Sequence, residues 1–385
     1  MTTEGRSIQT GLVPVGNRQI TNYSSSLIKR GLDTLARTRP RIVSFPSTRS
    51  IGELYLIDSS KEWWKVLQPT SNEFARYFSR AQGLISVPQE KWLILNMRPF
   101  PINVSALGKL SAYDLHGLVI GSLENLVDLS HVGLLSGLKI LDLGYCATNT
   151  SYAFLKKLQC LEALRINLEK DNIRGQDIET ISLMPHLKKL DINLGVFNRF
   201  NVGKLAKGEL LNLDLLSISG EFDDEQFNKL TTLSSIKTLS LRNPLLTDSA
   251  LPALSCLRAL RRLVLDSSRI TDTGVHYISE LNTLESLTLF SPAITDQGLK
   301  YLSKLGEIKR LRLRGSFTDE GLGYLSGMIK LTRLVLKSNL VTDMGLFKLR
   351  NNPGLKVVEL SDTSVTRDGA KRFTESTGIK VIAAS

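Results

Sequence analysis

The chain has 385 residues, more than the roughly 250–300 that one hydrophobic core usually serves, so it holds several domains or a repeat array. Its 42% hydrophobic and 22% charged residues exclude wholesale disorder, and no run reaches the roughly 18 apolar residues of a membrane span. A formal charge of +12 permits an acidic protein, nucleic acid or an anionic membrane as partner and selects none of them.

Residues 1–39 read as a polar tail, with Gly5, Gly11, Pro14, Gly16 and a serine run at Ser24–Ser26. A short helix is expected within it over Leu27–Leu35, ended by the basic run Arg37–Arg41 and its proline. No apolar signal-peptide core follows Met1, so a cytoplasmic location is the expectation. The three cysteines, Cys146, Cys160 and Cys256, are too few for a disulfide framework and are expected as small core thiols.

Residues 40–91 read as an N-terminal capping region, with a small separate binding module as the alternative. Ile51–Leu56 looks like a degenerate copy of a strand that recurs further along. Bulky apolar area is concentrated at Trp63, Trp64, Phe74, Tyr77 and Phe78.

From residue 92 to 385 the chain repeats itself. The pattern L-x-x-L-x-L stands at Leu138–Leu143, Leu161–Ile166, Leu187–Ile192 and Leu213–Ile218, and again from Ile236, Leu260, Leu284, Ile308, Leu331 and Leu355, at spacings of 23–26 residues. Weaker copies start at Trp92 and Leu115, and a half-copy ends the array at Ile379. In a short strand alternate side chains face opposite ways, so Leu263 and Leu265 point inward while Arg262, Val264 and Asp266 point outward. Each repeat then buries its apolar face only against its neighbours.

A second motif follows each strand: Ile270–Val275, Ile294–Leu299, Phe317–Leu322 and Val341–Leu346 all read apolar-T-D-x-G-apolar. The Thr is placed to cap a helix, and the Asp to sit at its positive end. Apolar residues three apart, such as Val275, Ile278 and Leu281, predict a short helix with one buried stripe. Gly195–Gly208 lacks the T-D-x-G signal and is expected as a loop or irregular turn. The expected architecture is an α/β repeat in which one continuous parallel sheet covers residues 92–382.

These motifs resemble the cysteine-containing type of leucine-rich repeat found in bacterial and F-box-associated proteins. No F-box-like segment stands before the repeats. The strand-ending cysteine of that type is matched by Cys146. The resemblance implies a solenoid, with the sheet on its concave face and short helices on its convex face, and a binding role without a substrate.

A catalytic site is not expected. His116, His131, His186 and His276 fall in different repeats, and no zinc-spaced cysteines, phosphate loop or nucleophile elbow occurs, so no cofactor or metal is expected either. The outward column Asp142, Arg165, Asp191 alternates in sign and reads as a cross-strand ladder. Further along, Arg242, Arg262, Arg310, Arg312, Arg314, Arg333 and Lys337 gather on the outward face, with Phe290 as an apolar anchor among them. This basic patch is the candidate binding surface for an acidic protein. A nucleic acid or anionic lipid on the same arginines is the alternative, which the scarcity of base-stacking aromatics disfavours.

Overall fold

A computed structural model of the chain describes residues 40–58, 76–98, 103–121, 128–145, 152–168, 175–195 and 201–383. The tail at 1–39, Trp63, Trp64, Phe74, Cys146 and the stretch Phe197–Phe200 lie outside the described residues.

The repeat strands form as their pattern requires. They are β5 (Lys91–Asn96), β6 (Gly117–Ile120), β7 (Ile140–Tyr145), β8 (Ala163–Asn167), β9 (Lys189–Gly195), β10 (Leu215–Gly220), β11 (Thr238–Arg242) and β12 (Arg262–Asp266). The series continues through β13 (Ser286–Phe290), β14 (Arg310–Arg314), β15 (Arg333–Lys337), β16 (Val357–Ser361) and β17 (Lys380–Ala383). Each pairs in parallel with the next, so the expected unbroken parallel sheet is present from β5 to β17. In the later repeats the register is residue for residue. Leu263, Leu287, Leu311 and Leu334 lie side by side and are 0%, 0%, 1% and 0% exposed. Those leucines meet the helix stripes, including Val275, Ile278, Leu299, Leu302, Leu322 and Leu325, in one core that runs the length of the solenoid.

Two further strands extend the sheet beyond β5: β2 (Glu53–Asp58) and β3 (Arg76–Arg80). Here the sequence reading needs correction. Ile51–Leu56 does enter a strand, but β2 runs antiparallel to β5, with Leu54 opposite Leu95. The in-out alternation that makes a segment look like a repeat strand is the same in either direction, so it cannot encode polarity. A separate antiparallel ribbon joins β1 (Arg41–Ser44) to β4 (Leu84–Val87).

The helical halves divide by their capping signal. T-D-x-G repeats give short α-helices: α3 (Asp272–Ile278), α4 (Asp296–Leu302), α5 (Asp319–Leu325) and α6 (Asp343–Lys348) follow α1 (Gly175–Ser182) and α2 (Asp224–Leu230), and α7 (Arg367–Thr377) comes last. Val104–Lys109, Ser130–Leu134 and Val202–Lys207 lack any side-chain cap and wind only as 3₁₀ turns. The last of these lies within the region 195–208, where an irregular turn was expected. Asp248–Cys256 keeps the Thr247 cap, but Pro252 sits inside it and the segment stays 3₁₀.

Thr271, Thr295, Thr318 and Thr342 cap their helices as expected, each accepting a hydrogen bond from the N–H two residues on. The aspartates sit at the helix starts as expected and do more besides. Each lies in the first turn, but its carboxylate reaches across to the next repeat. Asp248 accepts from the Thr271 N–H at 2.8 Å and from its hydroxyl at 2.6 Å. Asp272 does the same to Thr295, Asp296 to Thr318, Asp319 to Thr342 and Asp343 to Thr366. The motif is a clamp between repeats as well as a helix start.

The expectation of core thiols fails for the two described cysteines. Cys160 and Cys256 are free and exposed, each near the end of a 3₁₀ turn.

Candidate functional site on the concave face

Outward strand positions carry the concave surface, and they divide it into two parts of different character. In the first part the surface is closed. Ile57, Trp92, Ile94, Val119, Ile140 and Ala163 form an apolar cluster, none more than 9% exposed, on the side of the sheet away from the main core. His116 stacks on Trp92 with ring centres 5.5 Å apart, and the Lys139 ammonium lies 4.7 Å from the Trp92 ring centre. The expected charge ladder is there. Asp142 meets Arg98 at 2.6 Å and Arg165 at 3.4 Å, and Arg165 meets Asp191 at 3.0 Å. Burial raises the Asp142 carboxyl above its usual range, against the pull of Arg165 and Arg98.

A second ladder escaped the sequence reading. It runs along the residue just ahead of each strand: Lys139 to Glu162 at 3.3 Å, Lys188 to Glu162 at 2.9 Å, Lys237 to Asp214 at 2.8 Å and Lys309 to Glu285 at 2.9 Å. The alternation is legible in L-x-x-L-x-L once its second position is read down the array. Lys309 holds the Glu285 carboxyl below its ordinary value. Past Lys309 the column continues as Thr332, Lys356 and Lys380, with no acidic member.

The second part of the concave face is open and basic. Strand alternation places Arg242, Arg262, Arg310, Arg312, Arg314 and Arg333 at exposed positions, while Phe290 and Lys337 are half-buried. Pairing across strands puts Arg310 opposite Arg333 and Arg314 opposite both Phe290 and Lys337. Arg312 stands between Thr288 and Val335.

These cations are not equally free. Arg333 forms an ion pair with Glu359, and Lys337 reaches Asp362 at 2.7 Å. Lys337 accordingly holds the Asp362 carboxyl below its ordinary value. Asp362 lies just past the end of β16 and was missed for that reason. Among the described residues, Arg242, Arg262, Arg310, Arg312 and Arg314 have no carboxylate within ion-pair distance.

Beside β14 the surface dips into a depression of about 320 Å³, lined by Phe290, Arg312, Val335, Lys337, Glu359 and Ile382, among others. Most of the lining is apolar. Val335 and Ile382 were not singled out from the sequence: repeat spacing sets Val335 on this face but turns Ile382 inward, whereas in β17 Val381 takes the inward place beside Val358 and Ile382 faces out beside Glu359. Among the described residues no group of three or more His, Cys, Asp or Glu could hold a metal ion. No helix among them is long and apolar enough to cross a membrane.

No protein-family model matches the chain, and no curated protein matches its sequence. Solved structures do match its fold. An internalin of Listeria monocytogenes aligns at 19% identity with a TM-score of 0.51, over 76% of this chain and 86% of that one. A leucine-rich-repeat protein of Leptospira interrogans aligns at 18% identity with a TM-score of 0.40, over 71% and 84% of the two chains. The long parallel sheet and alternating short helices are those of a leucine-rich-repeat solenoid.

Proposed function

We propose that the chain is a non-catalytic protein-interaction scaffold whose open, basic stretch of concave face receives an acidic protein partner. Residues 40–91, where β2 pairs the outer edge of β5, serve as its N-terminal cap. The observation that carries the reading is the set of five arginines that have no carboxylate within ion-pair distance, in a sheet where other charges are paired. Like charges on adjacent strands destabilise a sheet, and folding alone gives no reason to accept that. Earlier in the same sheet Asp142 and Asp191 neutralise Arg98 and Arg165. The contrast supports a surface kept charged for a ligand.

Guanidinium groups bind carboxylates through two parallel hydrogen bonds. Alternate residues of a strand lie about 6.6 Å apart, so neighbours among Arg310, Arg312 and Arg314 on β14 stand within a Debye length of about 8 Å of each other. Their potentials therefore add, and they steer an acidic surface toward the face. A nucleic acid is the weaker reading. Phe290 is the one aromatic residue among the outward positions of β11–β16, and single-strand binding interleaves bases with several aromatic faces.

The test is affinity capture from nuclease-treated lysate with the wild type and with R312E/R314E, followed by mass spectrometry. The double variant should lose an acidic protein that the wild type captures and that salt releases. A partner retained equally by both proteins removes the basic face from consideration.

A further inference from the structure

We infer that the depression beside β14 takes one bulky apolar side chain of the acidic partner, presented two residues from a carboxylate on an extended segment. The inference rests on the proposed function and specifies its ligand. The floor supplies the first argument. Val335 occupies a solvent-facing strand position between Arg312 and Glu359, and Ile382, 42% exposed, lies on the edge strand beyond. Phe290 closes the opposite end. A half-buried valine and an exposed isoleucine that share a concavity contribute nothing to the core, which lies on the other side of the sheet. They do offer apolar area to a ligand.

Charge sets the rest of the ligand. Two acidic groups near the depression are already occupied, Glu359 by Arg333 and Asp362 by Lys337, so they do not repel an incoming carboxylate. The unpaired cations are Arg310, Arg312 and Arg314, all on β14 at one flank of the depression. A carboxylate is therefore held over β14, and its apolar neighbour falls beside Val335 between β15 and β16, between one and two strand spacings away. Residues i and i+2 of an extended peptide face the same way, about 6.6 Å apart, which meets that separation. At about 320 Å³ the depression sits near the lower end of the roughly 300–1,000 Å³ of ligand pockets, enough for one aromatic or branched side chain.

The experiment uses fluorescein-labelled nonapeptides of equal net charge that carry Glu-Gly-Phe or Glu-Gly-Ser in an otherwise identical Glu/Gly background. Binding to the full chain is read by fluorescence polarisation. The Phe peptide should bind at least tenfold tighter than the Ser peptide. Val335→Lys adds a cation while obstructing the floor, so it should keep or improve binding of both peptides and abolish the difference between them. Ile382→Ser should shrink the difference without adding charge. Circular dichroism and melting curves confirm that both variants fold.

Equal affinity of the Phe and Ser peptides for the wild type overturns the anchor and leaves the acidic-partner reading standing. So does a Phe preference that survives Val335→Lys and Ile382→Ser unchanged. No binding of either peptide at low salt, or binding unaffected by R312E/R314E, overturns both. A twelve-residue oligothymidylate that binds more tightly than both peptides also overturns both and transfers the face to nucleic acid.

Discussion

Gly369 lies so close to Asp343 that a β-carbon built on it would stand 2.1 Å from the carboxylate Oδ1 and 2.4 Å from Oδ2. The same carboxylate accepts the N–H and hydroxyl of Thr366, both at 2.8 Å. Gly274, Gly298, Gly321 and Gly345 stand equally near the aspartate of the preceding repeat. The glycine of T-D-x-G thus makes room for a neighbour's carboxylate, and the motif joins repeats through all three of its fixed residues.

This coupling predicts a non-additive pair. Asp343→Ala should cost about 0.5–1.5 kcal/mol, because it removes the exposed hydrogen bonds to Thr366, which water replaces in part. Gly369→Ala alone should also destabilise, although alanine is favoured in a helix by roughly 1 kcal/mol. With Asp343 already removed, the obstacle is gone and Gly369→Ala should become neutral or stabilising. A double-mutant cycle by urea denaturation measures this coupling. Penalties that add within about 0.5 kcal/mol would show that the carboxylate and the glycine are independent.

Much of this was readable from repeat spacing. The spacing located the strands, and alternation separated the buried Leu311 from the exposed Arg310 and Arg312, because both are properties of one strand seen locally. What escaped depends on relations between segments. The direction of β2 is invisible to an alternation that is symmetric under reversal. The second ligand of Asp272, Thr295, lies in the next repeat, and a carboxylate at a helix start has a sufficient local explanation in the dipole. The pairing of Arg333 with Glu359 likewise crosses strands, so counting charges within each strand made Arg333 look as free as Arg312.

Core packing gives a second prediction. Leu311 is 1% exposed and lies between Leu287 and Leu334 in the inward row. Leu311→Ala should cost about 2–5 kcal/mol, since flanking strands held by their own hydrogen bonds collapse little into the cavity. Urea denaturation showing less than about 1 kcal/mol would contradict the packing.

A third concerns pH. His116 accepts hydrogen bonds at Nδ1 from the Leu93 N–H at 3.3 Å and from the Arg41 guanidinium at 3.0 Å, so its proton sits on Nε2. Burial, then the charges of Arg41 and Lys139, lower its pKa from 6.5 to about 4. Between those two values the unfolded chain binds a proton that the folded chain refuses. The contribution of His116 is therefore fully present above pH 6.5 and is lost as pH falls toward 4, by at most roughly 3 kcal/mol. Asp142, raised by burial, acts in the opposite sense within the carboxylate range, so a variant must isolate the histidine. His116→Asn should flatten the decline in denaturation midpoint between pH 6.5 and 4.5. An unchanged slope would assign the decline to other groups.

The last prediction separates the free arginines from the paired ones without any partner. Arg310, Arg312 and Arg314 project from one strand, and Arg314 also faces Lys337 across the sheet. Each like-charge neighbour costs roughly 0.2–1 kcal/mol in a sheet, and salt screens that cost. The melting temperature of R310S/R312S/R314S should therefore exceed that of the wild type at low salt, by about 1–4 °C for a chain of this size. At 500 mM salt the gap should close, because screening gives the wild type what the substitutions gave the variant. Arg333→Ser should behave in the opposite way and lower the melting temperature slightly, since it leaves Glu359, only 20% exposed, without its cation. A control that removes equal charge from the helix side, at Arg258, Lys300 and Arg350, accounts for the general effect of net charge. If the β14 triple variant melts no higher than that control at low salt, the three arginines carry no mutual strain. The case for a surface held charged at a cost to folding then loses its physical basis.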